Sequence, residues 1–120
     1  IPVEDLNACD VQTLGAKVRY HSDFAPAGTN ANFVKVTGGN SISVRTYERG
    51  VEAETLACGT GIVASALVCA KAGKVTPPVA VLAASGDRLT VDFKLTPDGA
   101  AEVTLLGPAV HVFKGQLSHP

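Results

Sequence analysis

The densest group of reactive residue types is Glu48-Arg49-Gly50, followed by Glu54-Thr55-Leu56-Ala57-Cys58-Gly59-Thr60-Gly61. Cys58 stands just ahead of an apolar run that predicts a helix over residues 60–72. A thiol there meets the positive end of the helix dipole and backbone N–H groups with no helical partner, and both stabilise a thiolate. The N–H groups around Gly59, Thr60 and Gly61 could equally hold a carboxylate or phosphate. The two glycines let backbone approach a bound group closely. The plain alternative is a small buried cysteine beside an ordinary helix start.

Glu48 and Arg49 end a strand-like run and enter a turn at Gly50. They read as a surface ion pair or as a clamp for an amino-acid head, Arg49 on the carboxylate and Glu48 on the ammonium. Asn30, in Gly28-Thr29-Asn30, reads as a turn residue or as a binder of polar ligand atoms. Cys69 falls inside the apolar run and reads as an inert core thiol, and Cys9 has no assigned role. His21, His111 and His119 show no ligand spacing. Gly59-Thr60-Gly61 lacks the following Lys that a phosphate-binding P-loop needs. Three cysteines without regular spacing suit neither a disulfide framework nor a zinc site, so reduced thiols in a cytoplasmic setting are expected.

The elements that must position these residues follow from pattern. Residues 7–20 predict a short helix, capped by Asn7 or Asp10, with Val11, Leu14, Ala16 and Val18 as its apolar stripe. Residues 21–30 read as a loop. Residues 32–37 alternate as a strand, Gly38-Gly39-Asn40 signals a hairpin turn, and residues 41–47 return. The run over residues 60–72 is apolar nearly all round, which predicts burial on all sides, and Gly73 is a natural stop. Further strands are expected at 79–84, 88–93, 101–106 and 110–114. The fold class expected is α+β: a mixed, largely antiparallel sheet curled around a central buried helix.

At 120 residues the chain makes one domain. With 46% hydrophobic and 18% charged residues it reads as a globular chain rather than a disordered one. A net charge of −1 gives no electrostatic case for nucleic acid or an anionic membrane. The longest apolar stretch, residues 61–70, falls short of the roughly 20 residues a bilayer requires. No signal-peptide pattern opens the chain. Met is absent and the chain opens on Ile1-Pro2, so a piece of a longer protein is expected. Trp is absent and aromatics are 5%, so the core must come from Val, Ala and Leu.

At three places the sequence resembles one family. Thr46-Tyr47-Glu48-Arg49-Gly50-Val51-Glu52-Ala53-Glu54-Thr55-Leu56-Ala57-Cys58-Gly59-Thr60-Gly61 is similar to the second active-site motif of the diaminopimelate epimerases. Phe24-Ala25-Pro26-Ala27-Gly28-Thr29-Asn30-Ala31-Asn32-Phe33-Val34 resembles their substrate-binding loop, and residues 107–115 resemble their last strand. The resemblance implies an epimerase without cofactor or metal, interconverting LL- and meso-diaminopimelate on the route to lysine. It also implies two cysteines, on opposite faces of the α-carbon, that exchange the roles of base and acid. It implies Cys58 as one of that pair, with Asn30, Glu48, Arg49, Gly59 and Thr60 as substrate-binding positions. The family's other cysteine, in a Cys-Gly-Asn-Gly type segment, is not in this sequence. The resemblance therefore implies that the 120 residues correspond to the C-terminal half of a two-domain enzyme. The implied partners are the amino-acid substrate, the N-terminal half and a second copy in a homodimer. Two other readings stay open: a related proline-type racemase, and a non-catalytic module that binds a carboxylate.

Overall fold

The computed structural model describes residues 1–107; the strand expected at 110–114, His111 and His119 lie outside them. Among the described residues, two α-helices and a six-stranded sheet make an α+β fold. The helices are α1 (Val11–Arg19) and α2 (Gly59–Lys71). The strands are β1 (Ala31–Gly38), β2 (Ser41–Glu48), β3 (Ala53–Thr55), β4 (Val79–Leu82), β5 (Arg88–Thr96) and β6 (Gly99–Leu106). The sheet order is β1-β2-β4-β5-β6, with β3 pairing β2. β2 and β4 run parallel and the other named pairs run antiparallel, so the sheet is mixed and largely antiparallel as expected.

The sheet separates two apolar clusters. On one face β1 and β2 present Ala31, Phe33 and Tyr47 to α1, where Val11 and Leu6 complete the packing. On the other, Val34, Ile42, Val44, Val79, Val81, Val91 and Phe93 pack on Ile62, Ala66 and Ala70 of α2. The period-two alternation of side chains along each strand serves both clusters from one sheet. Five strands, β1, β2, β4, β5 and β6, touch α2, which makes it the central helix of the domain.

Burial of α2 on all sides is not what the structure shows. Val68 is 67% exposed and Ala64 and Ala72 are also exposed, so one flank of the helix is open. The cause is geometric: among the described residues the strands cover the Ile62-Ala66-Ala70 face and leave the opposite one, at Ala64-Val68-Ala72, without a layer above it. Gly73 does end the helix. It takes a φ of +75°, its N–H donates to Ala70 O, and Lys74 N–H donates to Cys69 O, the bonding of a Schellman cap.

α1 starts later than residue 7. Asp10 takes the cap, its Oδ1 accepting from Thr13 N–H at 3.2 Å, while Asp5 Oδ1 holds Ala8 N–H in a preceding turn. The expected stripe is also displaced, since Leu14 is exposed and Gly15 is buried. A Cβ at Gly15 would overlap the side chain of Tyr47, so the helix meets the sheet through its glycine and turns Leu14 outward.

Candidate active site

Cys58 is the N-cap residue of α2, and its side chain makes no capping bond to the helix backbone. Its sulfur lies 3.4 Å from Thr60 Oγ1, within hydrogen-bonding reach. Cys58 is 9% exposed but belongs to neither apolar cluster. The first helical bond runs from Ile62 N–H to Cys58 O. The N–H groups of Gly59, Thr60 and Gly61 therefore take no acceptor among the described residues, as the geometry of a helix start requires. A Cβ at Gly59 would be in ordinary contact with Leu105 Cδ2 at 3.5 Å, so that position is not crowded.

Asn30 and Arg49 are brought together. Asn30 Oδ1 accepts from Arg49 N–H at 2.8 Å, and Arg49 Nη1 donates to Ala27 O at 3.1 Å. The guanidinium and the Asn30 oxygen are thus engaged within the protein. Glu48 closes the same turn through its backbone, its carbonyl accepting from Glu52 N–H at 2.9 Å. Glu48 and Arg49 do not pair with each other: among the described residues the carboxylates that meet arginines are Glu52, on Arg19 at 2.9 Å, and Glu54, on Arg45 at 2.7 Å. Glu52, at a φ of +58°, is held by Arg19, whose hydrogen bonds pull its carboxyl below the usual range.

The two groups meet through residues that sequence reasoning passed over. Asn32 lies two positions after Asn30, facing α2 where its strand neighbours Val34 and Val36 are apolar. Its Oδ1 accepts from Thr46 Oγ1 at 2.7 Å, and the two residues pair directly across β1 and β2. A Cβ at Gly61 would fall on Asn32 Oδ1. Gly61 therefore leaves room for the Asn32 side chain, a neighbour that the sequence reading of this glycine did not include. A polar residue at an inward strand position was the available signal.

An apolar groove of about 820 Å³ runs between the β1 edge and the open flank of α2, bounded at one end by Thr29, Asn30 and Asn32. A second, of about 690 Å³, lies on the other side of the sheet beside Arg45 and Glu54. Cys58 lines neither. All three cysteines are free, and burial pushes the Cys69 thiol up from its ordinary value. Among the described residues no three His, Cys, Asp or Glu side chains gather as metal ligands. No helix among them is long and apolar enough to cross a membrane.

Fold and site define an α+β domain with a free cysteine at the amino end of its central helix. Its sequence matches the family model for diaminopimelate epimerase over residues 1–112. It is 50% identical over 119 residues to a diaminopimelate epimerase of Aquifex aeolicus, covering 98% of this chain and 42% of the relative. A diaminopimelate epimerase of Chlorobaculum tepidum is 45% identical over 117 residues, 97% of this chain and 44% of the relative. The chain belongs to the diaminopimelate epimerase family. It spans about two fifths of the length of these curated relatives.

Proposed function

We propose that this chain supplies one side of the active site of an enzyme that interconverts LL- and meso-diaminopimelate without a cofactor, in lysine biosynthesis. It corresponds to the C-terminal half of that enzyme, and the rest of the polypeptide supplies the second thiol. Cys58 as thiolate takes the α-hydrogen as a proton, leaving the electron pair on the α-carbon. A thiol on the opposite face delivers a proton to that carbon, so configuration inverts and the two sulfurs exchange protonation states. The N–H groups of Gly59 and Thr60 hold the substrate carboxylate, where the helix dipole favours negative charge. Asn30, Glu48 and Arg49 bind the amino-acid groups of the substrate.

The observation that carries this reading is the start of α2. Its cap residue is a buried cysteine that does no capping, beside N–H groups that take no acceptor among the described residues. The experiment is deuterium exchange at the α-carbon in D2O. A chimera in which these 120 residues replace the matching part of the Aquifex aeolicus relative is expected to exchange diaminopimelate. The 120-residue chain alone is expected to exchange none. Exchange into proline by the chimera would point to a proline-type racemase instead. Carboxylate binding without exchange into any amino acid would point to a binding module.

A further inference from the structure

We propose that Asn32 is a positioning residue for Cys58, acting through the first turn of α2. This inference rests on the reading of Cys58 as a reactive thiol. Three observations converge. The Asn32 side chain occupies the space where a Cβ of residue 61 would stand, so it is the surface on which that turn of helix rests. Its orientation is fixed from the strand below by Thr46 Oγ1 at 2.7 Å. Thr46 is 3% exposed, so the donor cannot turn away to water without leaving a buried hydroxyl unpaired.

The same side chain links the two halves of the candidate site. Asn32 stands on β1 two residues beyond Asn30, which holds the Arg49 backbone. Gly61 stands three residues beyond Cys58, and Ser65 Oγ returns to Gly61 O at 2.7 Å from the next turn. The height of the helix start above the sheet, and with it the placing of the Cys58 sulfur and of the Gly59 and Thr60 N–H groups, is set by how Asn32 lies. An apolar residue at position 32 would offer Thr46 Oγ1 no acceptor, so nothing would fix the side chain beneath Gly61.

The test uses the folded 120-residue chain and compares Cys58 with Cys69 as an internal reference. Each thiol is alkylated with iodoacetamide at neutral pH and quantified by mass spectrometry. Thr46→Val removes the donor at nearly constant shape, and Thr46→Ser restores it. The expected result is a Cys58/Cys69 rate ratio lowered about threefold in Thr46→Val, the scale of a lost helix-end interaction, and recovered in Thr46→Ser. An unchanged or raised ratio in Thr46→Val overturns the inference, as does a ratio that Thr46→Ser fails to recover. General loosening moves both thiols and leaves the ratio where it was. If Thr46→Val does not melt cooperatively, Asn32→Ala takes its place with the same expected and contrary results. A wild-type Cys58 that reacts no faster than Cys69 counts against the reactive-thiol reading. The change in ratio between wild type and variant judges Asn32.

Discussion

The Asn30 side-chain oxygen holds the backbone N–H of Arg49 at 2.8 Å, fastening the end of β2 to the residue that precedes β1. The bond spans 19 residues of sequence and places Glu48 and Arg49 beside the loop that begins at Ala25. Asn30→Ala leaves that N–H without its partner. The expected local loss is ~1 kcal/mol, seen as about fivefold faster amide hydrogen exchange at Arg49. Exchange unchanged at Arg49 would mean the bond holds nothing in place.

The two glycines at the head of α2 should respond differently to the same substitution. Gly61→Ala forces a methyl onto Asn32 and is expected to lower stability by about 1–3 kcal/mol, despite alanine's better helix propensity. Gly59→Ala meets only an ordinary contact with Leu105 and should stay within about 0.5 kcal/mol of the parent. Urea denaturation of both variants checks the contrast. Equal effects would contradict the packing of Asn32 beneath Gly61.

Arg45 ties the segment before α1 to the sheet. Its guanidinium pairs with Glu54 and donates to the carbonyls of Leu6 at 2.7 Å and Cys9 at 3.0 Å. Arg45→Met strands these acceptors and should cost about 1–3 kcal/mol in urea denaturation. Lys94 and Glu102 also pair, at 3.1 Å, but both are largely exposed. Lys94→Gln should change stability by no more than about 0.5 kcal/mol.

Acid should weaken the turn at residues 48–52 through Glu52. Hydrogen bonds from Arg19 hold the Glu52 carboxyl below its ordinary value. A folded value lower than the unfolded one means that the unfolded chain takes up the proton first as pH falls. The Arg19 pairing therefore stabilises the fold fully at neutral pH, begins to fade near about pH 5, and is gone once the folded carboxyl is also protonated. Glu52→Gln should be less stable than the parent at pH 7, with the difference closing below about pH 4. A difference that persists unchanged in acid would assign the effect to something other than this charge.

The parts of the fold that announce themselves through local chemistry were legible in sequence. The hairpin at Gly38-Gly39-Asn40 carries its own turn residues, and Gly73 supplies the left-handed cap that ends α2. β3 was not legible, because Ala53-Glu54-Thr55 has neither length nor alternation and pairs with β2 only once the turn at Gly50 and Glu52 folds back. The open flank of α2 was hidden for a related reason: Ala64 and Val68 are as apolar as the residues the sheet covers, and composition cannot say which face receives it. At the site, Cys58 before a helix was readable from type and position. For Asn32 the sequence offered only a polar type at an inward strand position, and its bond to Thr46 was not readable, since it joins two strands at positions 14 residues apart.

The central claim is that the Cys58 sulfur moves a proton at a stereocentre. It is tested most directly by Cys58→Ala in the chimera with the Aquifex aeolicus relative, following α-deuterium incorporation into diaminopimelate. The account predicts that exchange falls by about 10²-fold or more, the usual weight of one acid–base group. Exchange that continues at the rate of the unmutated chimera would contradict it.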